Sequence, residues 1–324
     1  MPQMIERGSG ITQSIYYDHQ DNPLLRLDTH KLFGQLPVLQ LMRDDLTAVL
    51  FDAAAATVEL RMGVTITGIN QTAHHVQATL SDGSEINADL LAGTDGVHST
   101  TRQQVFGKDH QTAHHLGLHC AAFRHPNVTD LNNTFATHTQ QGRYMATFNT
   151  GSNSADVGSV FVWTDQALEV ETIQHKQRLQ QAFADSGGRI ADHLAHCPDT
   201  PFYYDVLKQV ELRQWHMGRV VLLGDAAHCL TLFSGRGAAA AINDAAVLAQ
   251  SIASNPSIAQ ALQQYDTRLR PALTRMQART RRDVRWYVPR NTVDATIRNL
   301  AFRLAPNALF HRYFQYKYAT VGGG

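Results

Sequence analysis

Cysteine is scarce in this chain. There are three, Cys120, Cys197 and Cys229, far apart and without a CxxC pair. An odd, scattered set excludes a disulfide framework, argues against a zinc site, and makes a reducing cytoplasm the expected compartment. Net charge is absent as well: 28 Lys and Arg balance 28 Asp and Glu. A nucleic-acid binder that works by bulk charge is therefore not expected. No run reaches the roughly 18 apolar residues a membrane span needs, so no stable membrane insertion is expected. The start, MPQMIERGSG, lacks the apolar stretch of a secretory signal. With 43% hydrophobic and 17% charged residues over 324 positions, the composition is that of a soluble globular chain of about two domains.

The neutral total hides an asymmetry. Residues 268–317 carry eleven Arg and Lys317 against Asp283 and Asp294, so the remainder is acidic. A basic tail on an acidic body either packs across that body as a solvated, paired helix face or meets an anionic ligand.

Along the chain, residues 1–40 read as irregular. DDLTAVLFDAAAA (44–56) reads as a helix with Asp44 and Asp45 at its positive end. VTITGIN (64–70) and HVQATL (75–80) read as strands, and Asp82-Gly83 as a hairpin turn. LLAGTDG (90–96) reads as a buried strand running into a glycine turn. Residues 110–165 look like sheet, 169–186 like a helix ended by Gly187-Gly188. RVVLLGD (219–225) is a short apolar run, as in a strand buried on both faces. An Ala-rich helix over 237–253, a longer one over 258–288 and a final amphipathic piece over 292–318, broken at Pro306, complete the reading.

The strongest chemical signal is GRVVLLGDAAHCLTLFSGRGAAAAINDAAVLAQSI, from Gly218 to Ile252. It reads as a buried strand, an acidic residue at its carboxyl end, a Gly-rich loop and a helix. Ligands of open α/β sheets bind outside the carboxyl ends of the strands. Asp225, after Gly224, would sit there, and a carboxylate accepts hydrogen bonds from hydroxyls. Gly235 and Gly237 lack Cβ atoms, so their backbone can approach a ligand closely. The same spacing also suits a tight strand-to-helix turn with an N-cap Asp, and the residues alone leave both readings open.

This stretch resembles the GD motif of FAD-dependent aromatic-ring hydroxylases, the p-hydroxybenzoate hydroxylase-like flavoprotein monooxygenases. LLAGTDGVHSTTRQQVFG (90–107) is similar to that family's DG motif, through Asp95, Gly96 and Arg102. LMRDDLTAVL (41–50) resembles the segment in which an Arg contacts the flavin cofactor, here Arg43. The three stand in family order over about residues 40–285, and the chain looks most similar to the tetracycline- and polyketide-modifying branch.

The resemblance implies an α/β fold. An incomplete, Rossmann-like FAD-binding domain would come from 1–108 and 205–290, and an inserted, mainly antiparallel substrate domain from 109–204. A helical C-terminal segment would cover 291–324. It further implies that Asp225 binds the ribityl hydroxyls and Arg43 contacts the FAD chain. Gly224, Gly235 and Gly237 would line the flavin, Asp95 and Gly96 would shape the region between FAD and the reductant, and Arg102 would brace that motif. The implied reaction is monooxygenation. NADPH or NADH reduces FAD, dioxygen adds at flavin carbon 4a, and the hydroperoxide delivers an oxygen atom to an aromatic or polyketide-like small molecule. No acid–base triad is visible, in keeping with chemistry carried by the cofactor.

Departures from the family stand beside the matches. Leu232 occupies a usual Pro position, and Arg236 replaces a usual Gln, to stabilise a reduced anionic flavin or to point to solvent. The family's opening GxGxxG unit is not found. Gly8-Ser9-Gly10 follows no strand, has no third glycine and precedes no phosphate-binding helix. The chain is expected to start after that unit, as a shortened enzyme or a degenerate paralogue, with strands 90–94 and 219–224 short of a neighbour. The alternatives are a non-catalytic remnant, or a same-fold flavoenzyme with another redox task such as reduction or halogenation.

The histidines His110, His114, His115 and His119, and the pair His74-His75, lack the convergent spacing of a metal site. The C-terminal aromatics, mixed with Arg303, Arg312 and Lys317, suit a helix docked to close the active site, or one touching a membrane surface.

Overall fold

The computed structural model describes residues 2–33, 38–107, 111–151, 155–168 and 170–319. The chain opens with α1 (Pro2–Glu6), β1 (Gln13–Tyr17), β2 (Pro23–Asp28), α2 (Thr29–Phe33) and α3 (Arg43–Ala55). Next come β3 (Ile66–Gln71), β4 (Val76–Leu80), β5 (Glu85–Ala88), β6 (Leu91–Gly93) and α4 (Thr100–Phe106). The middle holds β7 (Gln111–Pro126), β8 (Thr134–Gln140), β9 (Arg143–Asn149), β10 (Asp156–Thr164), α5 (His175–Ala182), α6 (Gly188–Leu194) and β11 (Tyr203–Leu212). Then follow β12 (His216–Met217), β13 (Val220–Leu222), α7 (Asp225–His228), α8 (Gly237–Ser254) and α9 (Ile258–Tyr287). Helices α10 (Thr292–Leu304) and α11 (Asn307–Ala319) close the chain. The fold class is mixed α/β, as expected, with a helical C-terminal segment.

These elements form two compact units. The first comprises Met1–Glu59, Gly117–Val206 and Val284–Gly324, the second Leu60–Leu116 and Leu207–Asp283. The first is built on a seven-stranded sheet in the order β11-β7-β10-β9-β8-β1-β2. Its inner strand β10 is buried on both faces, with Val157, Phe161 and Val162 at 0% exposure. On one side Phe161, Phe123, Met145 and Trp163 pack with Leu179, Phe183 and Ile190 from the α5–α6 region.

Three readings of the sequence need correction here. Residues 1–40 are not irregular: β1 and β2 form an antiparallel pair, and β1 lies parallel to β8 with Gln13 opposite Thr134. A pairing between residues more than a hundred positions apart leaves no local periodicity to read. The helix expected over 169–186 is shorter, a 3-10 turn at Thr172–Gln174 followed by α5. Gly187 does not merely end it; it caps the start of α6. Strands 90–94 and 219–224 are short of a neighbour on one side only: β6 and β13 pair in parallel with Val220 opposite Leu91, and β6 stands at the edge of its three-stranded sheet.

In the second unit, β3-β4-β5 make an antiparallel meander and β12-β13-β6 a mixed sheet. The turn between β4 and β5 holds Gly83 at φ 83°, the left-handed geometry expected of Asp82-Gly83. Every residue of β13 is fully buried, which its apolar run foretold. The Tyr265 hydroxyl donates to the Leu222 carbonyl at 3.1 Å, tying α9 to this strand. A Cβ on Gly93 would lie 2.7 Å from Leu222 and 2.8 Å from Thr101, so only glycine lets β6 pack this closely.

The first unit also encloses histidines. His193 Nδ1 lies 3.2 Å from His125 Nε2, itself 2.9 Å from Ser159 Oγ, and His193 is 1% exposed. Burial, reinforced by the charges of His125 and His138, pushes His193 down to about 3. Burial also lowers His125, the Pro126 carbonyl opposing in part. A buried base with a lowered pKa favours the neutral form. Its contribution is intact above the unfolded value of 6.5 and fades as pH falls from there toward 3. The unfolding midpoint is therefore expected to drop between pH 7 and 4.5, by roughly 1.4 kcal/mol per pH unit from His193 alone. Thermal unfolding across that range should show a flatter profile for His193→Asn; an identical slope would assign the acid sensitivity elsewhere.

Candidate functional site

The Gly224–Gly237 turn lies wholly in the second unit and is set by a buried carboxylate. Asp244, at 0% exposure in α8, accepts the Gly224 N–H at Oδ2, 2.8 Å away. The same oxygen lies 2.6 Å from His228 Nε2. An ionised carboxylate only accepts, so Nε2 is the donor. His228 is 2% exposed and packs tilted against Trp215, with ring centroids 4.8 Å apart. Asp244 thus holds both ends of α7, and it is a residue the sequence reading missed. The available signal was a lone acid in an otherwise Ala-rich helix.

The turn can be this tight because Gly224 takes φ 58°, and a Cβ there would come 3.1 Å from the Ala241 Cβ. It delivers Asp225 to the surface at the carboxyl end of β13, although Gly224, Ala226 and Ala227 around it are buried. Gly235 is exposed in the left-handed conformation, φ 64°. A Cβ built on Gly237 would lie 3.8 Å from Asp225 Oδ1. The carboxylate therefore sits over the first turn of α8, where the amides of Gly237, Ala238 and Ala239 have no partner within the helix. Ala238 and Ala239 are exposed. An exposed acceptor beside a row of open amide donors and a cradle without Cβ atoms can take a ligand that offers hydrogen-bond donors to the carboxylate and acceptors to the amides, and it fits the flavin contacts that the family resemblance implies.

The DG segment is tied to this turn. Asp95 Oδ1 accepts from Ser99 Oγ at 2.5 Å, and its Oδ2 accepts from the Thr101 N–H at 2.9 Å, capping α4. Burial pushes the Asp95 carboxyl up, but the Ser99 and Thr101 hydrogen bonds outweigh it and hold the group below its ordinary value. Gly96 turns the chain at φ 78°. Arg102, 5% exposed, donates to the Ala226 carbonyl at 2.9 Å and the Val97 carbonyl at 2.7 Å. It bridges the two motifs through backbone oxygens.

Seven of the eight sequence-derived site residues, Asp95, Gly96, Arg102, Gly224, Asp225, Gly235 and Gly237, thus belong to this unit. Arg43 belongs to the other, where it is exposed and opens α3. Arg236 does not point to solvent; it is 6% exposed, with its N–H donated to Ser234 Oγ at 3.1 Å. Leu232 starts a 3-10 turn and is 39% exposed. Just before it, Thr231 adopts φ 66°, ψ 164°, a region that strains a β-branched residue.

Other candidates dissolve. His110 lies outside the described residues, His114 faces Glu211 at 3.0 Å, and His119 Nδ1 lies 2.6 Å from the Tyr204 hydroxyl. No His, Cys, Asp and Glu cluster able to hold a metal occurs among the described residues. A cavity of about 580 Å³ lies in the first unit, between the β9 and β10 ends and α5, and contains none of these residues.

Residues 7–280 match the FAD binding domain family. The chain is 31% identical over 256 residues to an uncharacterized protein of Mycobacterium tuberculosis, covering 75% of this chain and 67% of that one. It is 29% identical over 243 residues to a flavin-dependent monooxygenase of Legionella longbeachae, covering 74% of this chain and 62% of the relative. The match thus spans about two thirds of those relatives' length. Among solved structures, Klebsiella pneumoniae HpxO complexed with FAD and uric acid superposes with a TM-score of 0.83 at 19% identity, covering 98% of this chain and 82% of HpxO.

Two substitutions probe the turn in opposite directions. Gly224→Ala should lower stability by about 1–3 kcal/mol, through its positive φ and the Ala241 contact. Thr231→Gly should raise stability by up to about 1 kcal/mol by relieving strain. Chemical denaturation midpoints check both; a neutral Gly224→Ala would mean that the turn is not constrained as described.

Proposed function

The chain belongs to the FAD binding domain family of flavin-dependent monooxygenases, and from that premise we propose that it hydroxylates an aromatic or polyketide-like small molecule. FAD is the cofactor in this proposal, and NADPH or NADH the reductant. The observation that carries the reading is the exposed Asp225 carboxylate, set over the open first turn of α8 and flanked by Gly235 and Gly237.

FAD supplies the redox chemistry when bound: it takes a hydride from the nicotinamide and activates dioxygen, one oxygen atom entering the substrate and the other leaving as water. The protein's part is to bind and orient. Asp225 accepts hydrogen bonds from the ribityl hydroxyls. Gly235 and Gly237 let the ring edge approach the backbone, where the α8 amides favour negative charge on that edge. Gly224 sets the turn that presents Asp225. Asp95 and Gly96 shape the region between flavin and reductant, and Arg102 keeps that segment fixed to the Asp225 turn. Arg43 contacts the FAD chain.

On this reading the FAD-binding domain draws on 1–108 and 205–290, although residues 1–59 pack with the seven-stranded sheet. The substrate domain comprises 109–204, a boundary that falls outside the described residues at 108–110, and the C-terminal helical segment 291–324. The HpxO structure, complexed with FAD and uric acid, supports a flat, conjugated substrate.

The purified protein should be yellow or take up added FAD, with flavin absorbance released on denaturation. Asp225→Ala should lower flavin occupancy at least about tenfold, the loss of hydrogen bonds to a charged acceptor. A colourless protein that takes up no FAD, or full occupancy in the variant, would overturn the reading.

A further inference from the structure

Helices α10 and α11 each show an apolar face to the core and another to solvent. On the inner side Phe302, Phe310 and Phe314 pack against Tyr16, Leu25, Leu27 and Leu32. Arg298, 2% exposed, donates from Nε to the Trp286 carbonyl at 2.8 Å and lies 4.4 Å from the Phe302 ring centroid. These contacts anchor the helices. The outer side is different. Val293, Ile297, Leu300 and Leu304 are 66%, 56%, 55% and 72% exposed. Their spacing of four, three and four places them in one stripe along α10. Leu309, Tyr313 and Tyr316 repeat the pattern on α11, at 60%, 37% and 62%. Scattered apolar residues are ordinary on a surface, but an aligned apolar stripe on each of two successive helices marks faces that something covers.

Charge says what covers it. From residue 284 to the end, Asp294 is the only acidic residue, against five Arg and Lys317. Arg285, Arg290 and Arg312 are exposed, while the exposed Arg303 pairs with Asp18 Oδ2 at 3.0 Å. A second copy would bring these cations against their own kind, whereas an anionic headgroup layer attracts them. Tyrosines on such a face suit the headgroup zone. Each helix has 13 residues, about 20 Å of length against a bilayer core of about 30 Å. They are too short to cross it and long enough to lie in its plane. No helix among the described residues is long and apolar enough to span a membrane.

We propose that the outer face of α10 and α11 docks the protein reversibly on an anionic lipid bilayer, the aliphatic stripe entering the headgroup–acyl boundary and the arginines meeting the headgroups. This is a peripheral contact and does not rest on the flavin reading.

The test is co-sedimentation of the full chain with vesicles of phosphatidylglycerol and phosphatidylcholine, and with vesicles of phosphatidylcholine alone. Binding is expected to the mixed vesicles, weakened by high salt and much reduced on the neutral ones. Ile297→Glu with Leu300→Glu should reduce partitioning at least about tenfold, and Arg312→Gln should reduce it less. Both substituted aliphatics are exposed, so unfolding midpoints and circular dichroism should match the parent. No binding to mixed vesicles, or equal binding by the double variant, would overturn the proposal. So would a doubled mass in light scattering that the double variant abolishes, since the face would then join two copies of the chain.

Discussion

One buried carboxylate organises the candidate site. Asp244 accepts hydrogen bonds from the Gly224 amide and from His228, and so fixes the start and end of the four-residue helix α7. Among the described residues, Asp244 Oδ1 and His228 Nδ1 find no hydrogen-bond partner, so the two bonds at Oδ2 carry the set, and breaking either strands a buried polar group without solvent. The turn therefore has little freedom to relax. With Gly224 held in its left-handed conformation, Asp225 can only emerge at the carboxyl end of β13, over the first turn of α8. Asp225 is exposed because a neighbouring carboxylate is buried.

A second constraint carries this geometry to the DG segment. Arg102 is buried between two backbone carbonyls, Val97 and Ala226, one from each motif. Burial lowers the guanidinium's pKa and Asp95 partly restores it, yet it stays charged at any ordinary pH. Charge-assisted bonds to carbonyls are stronger than neutral ones. Asp95, meanwhile, is occupied in capping α4. The exposed surface of the unit is thus supported by polar groups that are spent on holding backbone in place, which is what positioning a cofactor requires.

Much of this was legible in the sequence, and the limits have physical causes. The apolar run 219–224, the glycines and Asp225 read correctly because strand, turn and helix are consecutive, and each follows from local chemistry. The parallel pairing of β1 with β8 was invisible, since neither strand carries a record of a partner more than a hundred residues away. The α5–α6 boundary was misjudged because Gly187-Gly188 suits a helix start as well as a helix end. Asp244 was passed over because burial, not spacing, gives it its role. His228 is a packed turn residue whose acceptor stands sixteen residues on, beyond the reach of any local pattern.

The most direct measurement of the central claim is native-state hydrogen exchange at the Gly224 amide, in the parent and in Asp244→Ala. If the Asp244 carboxylate sets the turn, this amide exchanges as slowly as those of Val220–Leu222 in the parent and becomes selectively fast in the variant while the strand stays protected. Fast exchange in the parent, or unchanged protection in the variant, would show that the turn is held by something other than this carboxylate.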